Sequence, residues 1–307
     1  MSLHSRAVPF GVSGGMLLSP PIASDRSDRQ YPRNESLIMT DVLADIVAHK
    51  RIEVAQAKER LPLEACREQA LASPEPRNFF AAVTRPEKQL RVIAEVKKAS
   101  PSAGLIRPDF DPVAIAKAYH ANGAAAISCL TDEKFFQGSL SYIKQIKAAV
   151  PLPVLRKDFI IDPYQIYEAR MAGADAVLLI AECLPDEAQL IDLLILATEL
   201  KLTTLVEVHD VENLLRVRPH IGFPLPQYTL LGVNNRNLKT MVTDLNHTLR
   251  VRDMVENLDI LVSESGIRTH QDIQRLADAG IHRVLVGEHL MRQPDVGEAL
   301  RKLITGS

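Results

Sequence analysis

Apolar runs along this chain stop, again and again, at a reactive polar side chain. Val92-Ile93-Ala94-Glu95-Val96-Lys97 closes on a carboxylate and an ammonium. The same punctuation ends Val154-Leu155-Arg156-Lys157-Asp158, Leu205-Val206-Glu207-Val208, Leu230-Leu231-Gly232-Val233-Asn234-Asn235-Arg236 and Leu261-Val262-Ser263-Glu264-Ser265-Gly266. Short apolar runs bounded by turn residues suit strands buried on both faces, as in a parallel sheet. Strands are predicted at Val92–Glu95, Ala125–Leu130, Pro153–Lys157, Ala176–Ile180, Thr203–Glu207, Thr229–Val233, Ile260–Ser263 and Arg283–Gly287. Helical stretches fall between them, among them Pro185–Leu200, Thr243–Val255 and Glu288–Ile304. Pro112, Pro163 and Pro185 stand where first helical turns favour proline, and Gly123, Gly173 and Gly280 follow alanine-rich helix ends. Roughly eight strand–helix units in series fit an α/β protein built as a single (β/α)8 TIM barrel, whose strand C-termini share one mouth. A doubly wound open sheet is the alternative, and no Gly-x-Gly-x-x-Gly turn supports it.

Composition narrows the function classes. At 307 residues and 46% hydrophobic content, the chain can fill one such barrel and an N-terminal addition. A net charge of -2, from 36 basic and 38 acidic residues, lacks the basic excess of a nucleic-acid binder. Cys66, Cys129 and Cys183 are widely spaced and form no metal or redox pattern. The apolar run Leu190–Leu200 is interrupted by Asp192 and Glu199, so it reads as core rather than membrane span. A soluble, cytoplasmic protein is expected, with no nucleic-acid or membrane partner.

Residues 1–38 are rich in Pro, Gly, Ser and Arg without a sustained period, and read as a disordered or mis-assigned leader. The barrel domain with its N-terminal helical extension is placed at 39–307. Thr40 or Asp41 suits the cap of a helix ending before Pro62, and a second short helix is expected at Asn78–Val83. These helices would cover the barrel's bottom or border its mouth.

Strand side chains alternate between faces, so Glu95 and Lys97 share one side. The same parity turns Lys157 inward with Leu155, sends Arg156 out among the helices, and brings in Glu207. A lysine at a partly dry mouth is expected to have a lowered pKa and to donate a proton. The plain alternatives are a self-neutralising Glu95–Lys97 pair, a solvated Lys157, and a Glu207 that merely partners His209 or a lysine. Asn234 and Arg236 share a side at another strand end, where Arg236 suits a carboxylate or an ordinary ion pair. Ser265 and Gly266 after the seventh strand, and Gly287 and Glu288 after the eighth, stand where barrels hold phosphate on backbone N–H groups. The nine histidines show no metal spacing; His209, His270 and His289 each read as standing alone.

Five blocks, in order, resemble the indole-3-glycerol phosphate synthase family. They are Ile93–Ser102, Leu130–Ser139, Leu155–Ile160, Gly232–Leu238 and Ser263–Ile267. The resemblance implies cyclisation of 1-(2-carboxyphenylamino)-1-deoxyribulose 5-phosphate to indole-3-glycerol phosphate with loss of CO2 and water, without cofactor or metal. By similarity, Lys157 is the acid of ring closure, Glu207 stabilises charge or acts as base, and Glu95 and Lys97 serve the dehydration. Ser100, Asn234 and Arg236 would hold the substrate's polar groups, and Phe136 and Phe159 would flank its anthranilate ring. Ser265, Gly266, Gly287 and the backbone of Glu288 would bind phosphate, the Glu288 carboxylate turned away. A monomer is expected, weak association with other tryptophan-pathway enzymes staying an open option. Another phosphate-binding barrel enzyme, such as phosphoribosylanthranilate isomerase, or a non-catalytic sugar-phosphate binder would not need all four ionisable strand ends.

Overall fold

Eight parallel strands close into a barrel in the computed structural model, which describes residues 42–237 and 240–307. They are β1 (Arg91–Val96), β2 (Ala126–Leu130), β3 (Val154–Lys157), β4 (Ala176–Ile180), β5 (Thr203–Val208), β6 (Thr229–Asn234), β7 (Leu261–Glu264) and β8 (Arg283–Val286). Each pairs with its sequence neighbours, and β1 closes the ring on both β2 and β8, with Ile93 opposite Ala126 and Leu285. All predicted strands exist. The seventh shifts because Leu258–Ile260 forms a 3-10 turn, so β7 starts at Leu261 and runs through Glu264.

The helices after the first strand include α4 (Pro112–Ala121), the short α5 (Glu133–Phe136), α6 (Ser141–Ala149), α7 (Pro163–Met171), α8 (Glu187–Glu199), α9 (Val211–Val217), α10 (Asn246–Val251), α11 (His270–Asp278) and α13 (Val296–Thr305). Local chemistry sets their ends. Asp111 and Asp162 cap α4 and α7 ahead of a first-turn proline. Pro185 does not start α8: Asp186 accepts from the N–H of Ala188, and the helix begins at Glu187. The expected Thr243–Val255 helix is shorter because its last turn tightens to 3-10 at Arg252–Met254. The expected Glu288–Ile304 helix is two, α12 (Glu288–Met291) and α13, because Asp295 turns its carboxylate onto the N–H groups of Gly297 and Glu298. Each such cap contributes about 1 kcal/mol.

Three helices precede the barrel: α1 (Val42–Arg60), α2 (Leu63–Ala72) and α3 (Phe79–Thr84). The reading missed α2, which is mostly exposed and buries only Cys66 and Ala70. α3 serves the bottom, where the Thr84 carbonyl accepts from buried Arg283 at the start of β8. α1 borders the mouth: Val42, Leu43 and Ile46 line it, and Lys50 reaches Asp132 at 2.9 Å and Asp158 at 3.0 Å. Both carboxylates lie just beyond strand C-termini, so one buried ammonium ties α1 to the loops after β2 and β3. The proposed cap at Thr40 or Asp41 and the boundary at Met39 lie outside the described residues.

Candidate active site

The C-terminal ends of the strands surround a cavity of about 460 Å³, within the range of small-molecule sites. Its lining brings together Glu95, Lys97, Ser100, Phe136, Lys157, Phe159, Glu207, Asn234, Arg236, Ser265, Gly266, Gly287 and Glu288. Every residue singled out from sequence as a site residue therefore faces one space.

At its floor, the Lys157 ammonium donates to Glu207 Oε2 at 2.8 Å and lies 3.9 Å from Glu264 Oε2. Glu207 Oε1 accepts from Asn234 Nδ2 at 3.0 Å. The Lys97 ammonium pairs with Glu95 Oε1 at 2.5 Å. Two glycines make room for these carboxylates. A Cβ on Gly287 would stand 2.1 Å from Glu95 Oε1, and one on Gly232 would stand 2.1 Å from Glu264 Oε1. Arg156 points outward as parity requires, bonding Asp158, Glu168 and the carbonyl of Gln165.

The electrostatics correct one expectation. Burial opposes the charge on Lys157, but Glu207, Glu264 and Glu95 outweigh it and hold the pKa above the ordinary lysine value. The lowered pKa expected from a dry mouth does not occur, because three carboxylates converge on one ammonium. Burial likewise opposes the Glu207 charge, yet Lys157 and His209 hold that carboxyl well below its usual range. Glu264 goes the other way: burial and the neighbouring Glu207 charge push it well above. The floor therefore combines a cation, a firm anion and a carboxyl that tends to keep its proton.

Glu264 had no role in the sequence pattern, and His209 only that of an alternative partner for Glu207, which the structure bears out. Ending the strand at Ser263 put Glu264 in a loop, whereas β7 extends through it, and parity with Val262 turns it inward. His209 does not stand alone; its Nδ1 lies 3.1 Å from Glu182 Oε2 and its Nε2 3.1 Å from Glu207 Oε1. Its place two residues after Glu207 was the available signal. The second approach is close but poorly aligned for a hydrogen bond, so Nε2 has no aligned acceptor.

Nearer the rim, Arg236 donates to Ser102 Oγ at 2.7 Å, to Thr243 Oγ1 at 3.3 Å and to Glu288 Oε2 at 2.9 Å. The ordinary ion pair and the mouth position thus hold together. The Glu288 carboxylate, its charge opposed by burial but favoured by Arg236 and Arg292, has a lowered pKa. Phe136 and Phe159 lie side by side, ring centroids 5.9 Å apart. Ser265 and Gly266 both take positive φ, +65° and +80°, which turns the chain sharply at the end of β7.

The sequence pattern of the family described as Indole-3-glycerol phosphate synthase matches residues 43–303. A relative of that name from Rhodospirillum rubrum is 49% identical over 268 residues, covering 87% of this chain and 100% of its own. Another, from Rhodopirellula baltica, is 49% identical over 263 residues, covering 86% and 98%. Among solved structures, 3-hexulose-6-phosphate synthase aligns at TM-score 0.54 and 16% identity, over 70% of this chain and 98% of that one. An aminoacrylate-bound tryptophan synthase from M. tuberculosis aligns at 0.54 and 14%, over 75% and 99%. Identities that low speak for the barrel alone. From the match across residues 43–303 and full-length relatives at 49% identity, the chain belongs to the indole-3-glycerol phosphate synthase family.

Proposed function

We propose that this pocket closes the pyrrole ring of indole-3-glycerol phosphate from 1-(2-carboxyphenylamino)-1-deoxyribulose 5-phosphate, releasing CO2 and water in tryptophan biosynthesis. The observation that carries the assignment of roles is the Lys157 ammonium, bonded to Glu207 and facing Glu264 at the cavity floor. Attack of the aromatic carbon on the substrate carbonyl turns its oxygen into an alkoxide, basic enough to take a proton from an ammonium that is not acidic at rest. Lys157 supplies that proton, and Glu207 balances the charge. Departure of CO2 then returns electrons to the ring system. Loss of the new hydroxyl needs a second proton, which Lys97 beside Glu95 supplies, and a carboxylate takes the last C–H proton. Such acid and base steps contribute about 10²–10⁴-fold each.

Binding follows the lining. Phe136 and Phe159 cover the anthranilate ring. Ser100, Asn234 and Arg236 take polar groups, Arg236 exchanging Glu288 for the substrate carboxylate. Backbone N–H groups at Ser265, Gly266, Gly287 and Glu288 receive the phosphate, with the Glu288 carboxylate then held aside by Arg292. The reading takes the enzyme as a cytoplasmic monomer. The direct test mixes purified protein with the aminodeoxyribulose phosphate and follows indole fluorescence, without added metal or nucleotide. Indole-3-glycerol phosphate should accumulate; its absence would defeat the assignment.

A further inference from the structure

The proposed reaction consumes a proton, which the site must obtain from somewhere. With the substrate's benzoate ionised, the carbonyl oxygen takes one proton on ring closure. The departing hydroxyl takes a second to leave as water, and one C–H proton comes back when the ring becomes aromatic. The balance is one proton taken up per turnover. Lys157, having given its proton, sits beneath the substrate and needs recharging before the next cycle.

We propose that His209 stores that proton as an imidazolium and passes it through Glu207 to Lys157, while Glu182 acts as the positioning residue that holds the ring. This rests on the reading of Lys157 as the acid of ring closure. The three contacts form a continuous row. His209 Nε2 lies 3.1 Å from Glu207 Oε1, and Glu207 Oε2 lies 2.8 Å from Lys157 Nζ. On the far side, Glu182 accepts from the His209 backbone N–H at 3.0 Å and meets Nδ1 at 3.1 Å. The turn carrying Glu182 is itself clamped, because the Arg216 guanidinium donates to the carbonyls of Ala181 and Leu184.

A histidine that only braced the fold would be satisfied by Glu182. Here each ring nitrogen faces a carboxylate, which favours a proton on both. Burial opposes that charge, but Glu182 and Glu207 carry the pKa up to about 9. The other titratable groups that sense the ring are Glu264 and His247. Buried Nε2 lacks an aligned acceptor, so its proton is not locked into a strong bond. Transfer breaks the Nε2–H bond and forms an O–H bond on Glu207 Oε1; the carboxyl then turns about its Cγ–Cδ bond, carries that same proton to the neutral Lys157 amine, and is a carboxylate again. Neutral His209 keeps its Nδ1 proton on Glu182. Because His209 lines the cavity, water can restore the Nε2 proton once product leaves.

The test is a single-turnover reaction in weak buffer with a pH-indicator dye, read alongside indole fluorescence. For the unaltered enzyme, indole should form before the dye reports proton uptake, since the proton comes first from the store. In His209→Gln proton uptake should become the slow step of every turnover after the first, which Lys157 supplies with its own proton. Its kcat should fall about ten-fold with KM within about two-fold, and added imidazole should restore kcat with saturation. Glu182→Gln should show the same buffer dependence more weakly. Coincident signals in the unaltered enzyme would overturn the proposal without recourse to any variant, as would a loss in His209→Gln that no buffer relieves. Lys157→Met separates the two readings: near-normal turnover there would remove the acid itself, whatever His209 does.

Discussion

Gly287→Ala tests whether the position of Glu95 matters to turnover. The new Cβ would lie 2.1 Å from Glu95 Oε1, 2.7 Å from its carboxyl carbon and 2.9 Å from its Cβ. Ordinary contact distances begin near 3.4 Å, so the carboxylate must retreat by about 1 Å, and its own Cβ blocks a simple pivot. Retreat breaks the 2.5 Å pair with Lys97. Misplacing a reacting group by about 1 Å costs on the order of 10²-fold, and overpacking costs about 1–3 kcal/mol of stability. The control is Gly173→Ala, where φ is +87° and nothing lies within 4 Å of the added Cβ. That change should cost about 1–2 kcal/mol through backbone strain alone and leave kcat intact. Steady-state kinetics by indole fluorescence and thermal melts of both variants decide the matter. A Gly287→Ala enzyme within about three-fold of normal kcat, at comparable loss of Tm, would refute the reasoning.

Other outcomes follow from the same geometry. Arg236→Ala should raise KM mainly, since the guanidinium spans Ser102 and Glu288 at the rim; an unchanged KM would mean that it does not meet substrate. Lys50→Ala leaves buried Asp132 without its cation, while Asp158 keeps Arg156; an uncompensated buried charge costs about 3–5 kcal/mol, or on the order of 10 °C in Tm. A melt within about 2 °C of the unaltered protein would contradict it. The His209 pKa, raised from 6.5 to about 9, implies about 3 kcal/mol of stability. The folded value exceeds the unfolded one, so that stability is complete below pH 6.5 and is lost as pH rises to about 9. Denaturant midpoints of His209→Gln should lack this decline.

Much of the site was legible because strand parity is a local property. Knowing that Glu95, Lys157, Glu207 and Asn234 end apolar runs suffices to aim them inward once the barrel closes. What parity cannot supply is convergence. The sign of the Lys157 shift depends on three carboxylates arriving from β1, β5 and β7, so a rule applied to one strand predicted the wrong direction. Glu264 was lost to a one-residue error at a strand end, where Leu258–Ile260 forms a 3-10 turn rather than extended chain. The Glu207–His209 contact was within reach of the sequence, but Glu182, the second partner of His209, belongs to a different strand–helix unit. Helix α2 left no clear trace because it buries so few apolar residues. The N-terminal extension was visible, but its division between mouth and bottom rests on long-range contacts of Lys50 and Thr84 that no local pattern encodes.

On the proposed mechanism, the ammonium at residue 157 delivers the proton on which ring closure depends. The rate of Lys157→Met under single-turnover conditions, with substrate affinity measured in parallel, tests it most directly. A fall of about 10²-fold or more in the chemical step is expected, with affinity changed far less. A variant that closes the ring at a near-normal rate would contradict it.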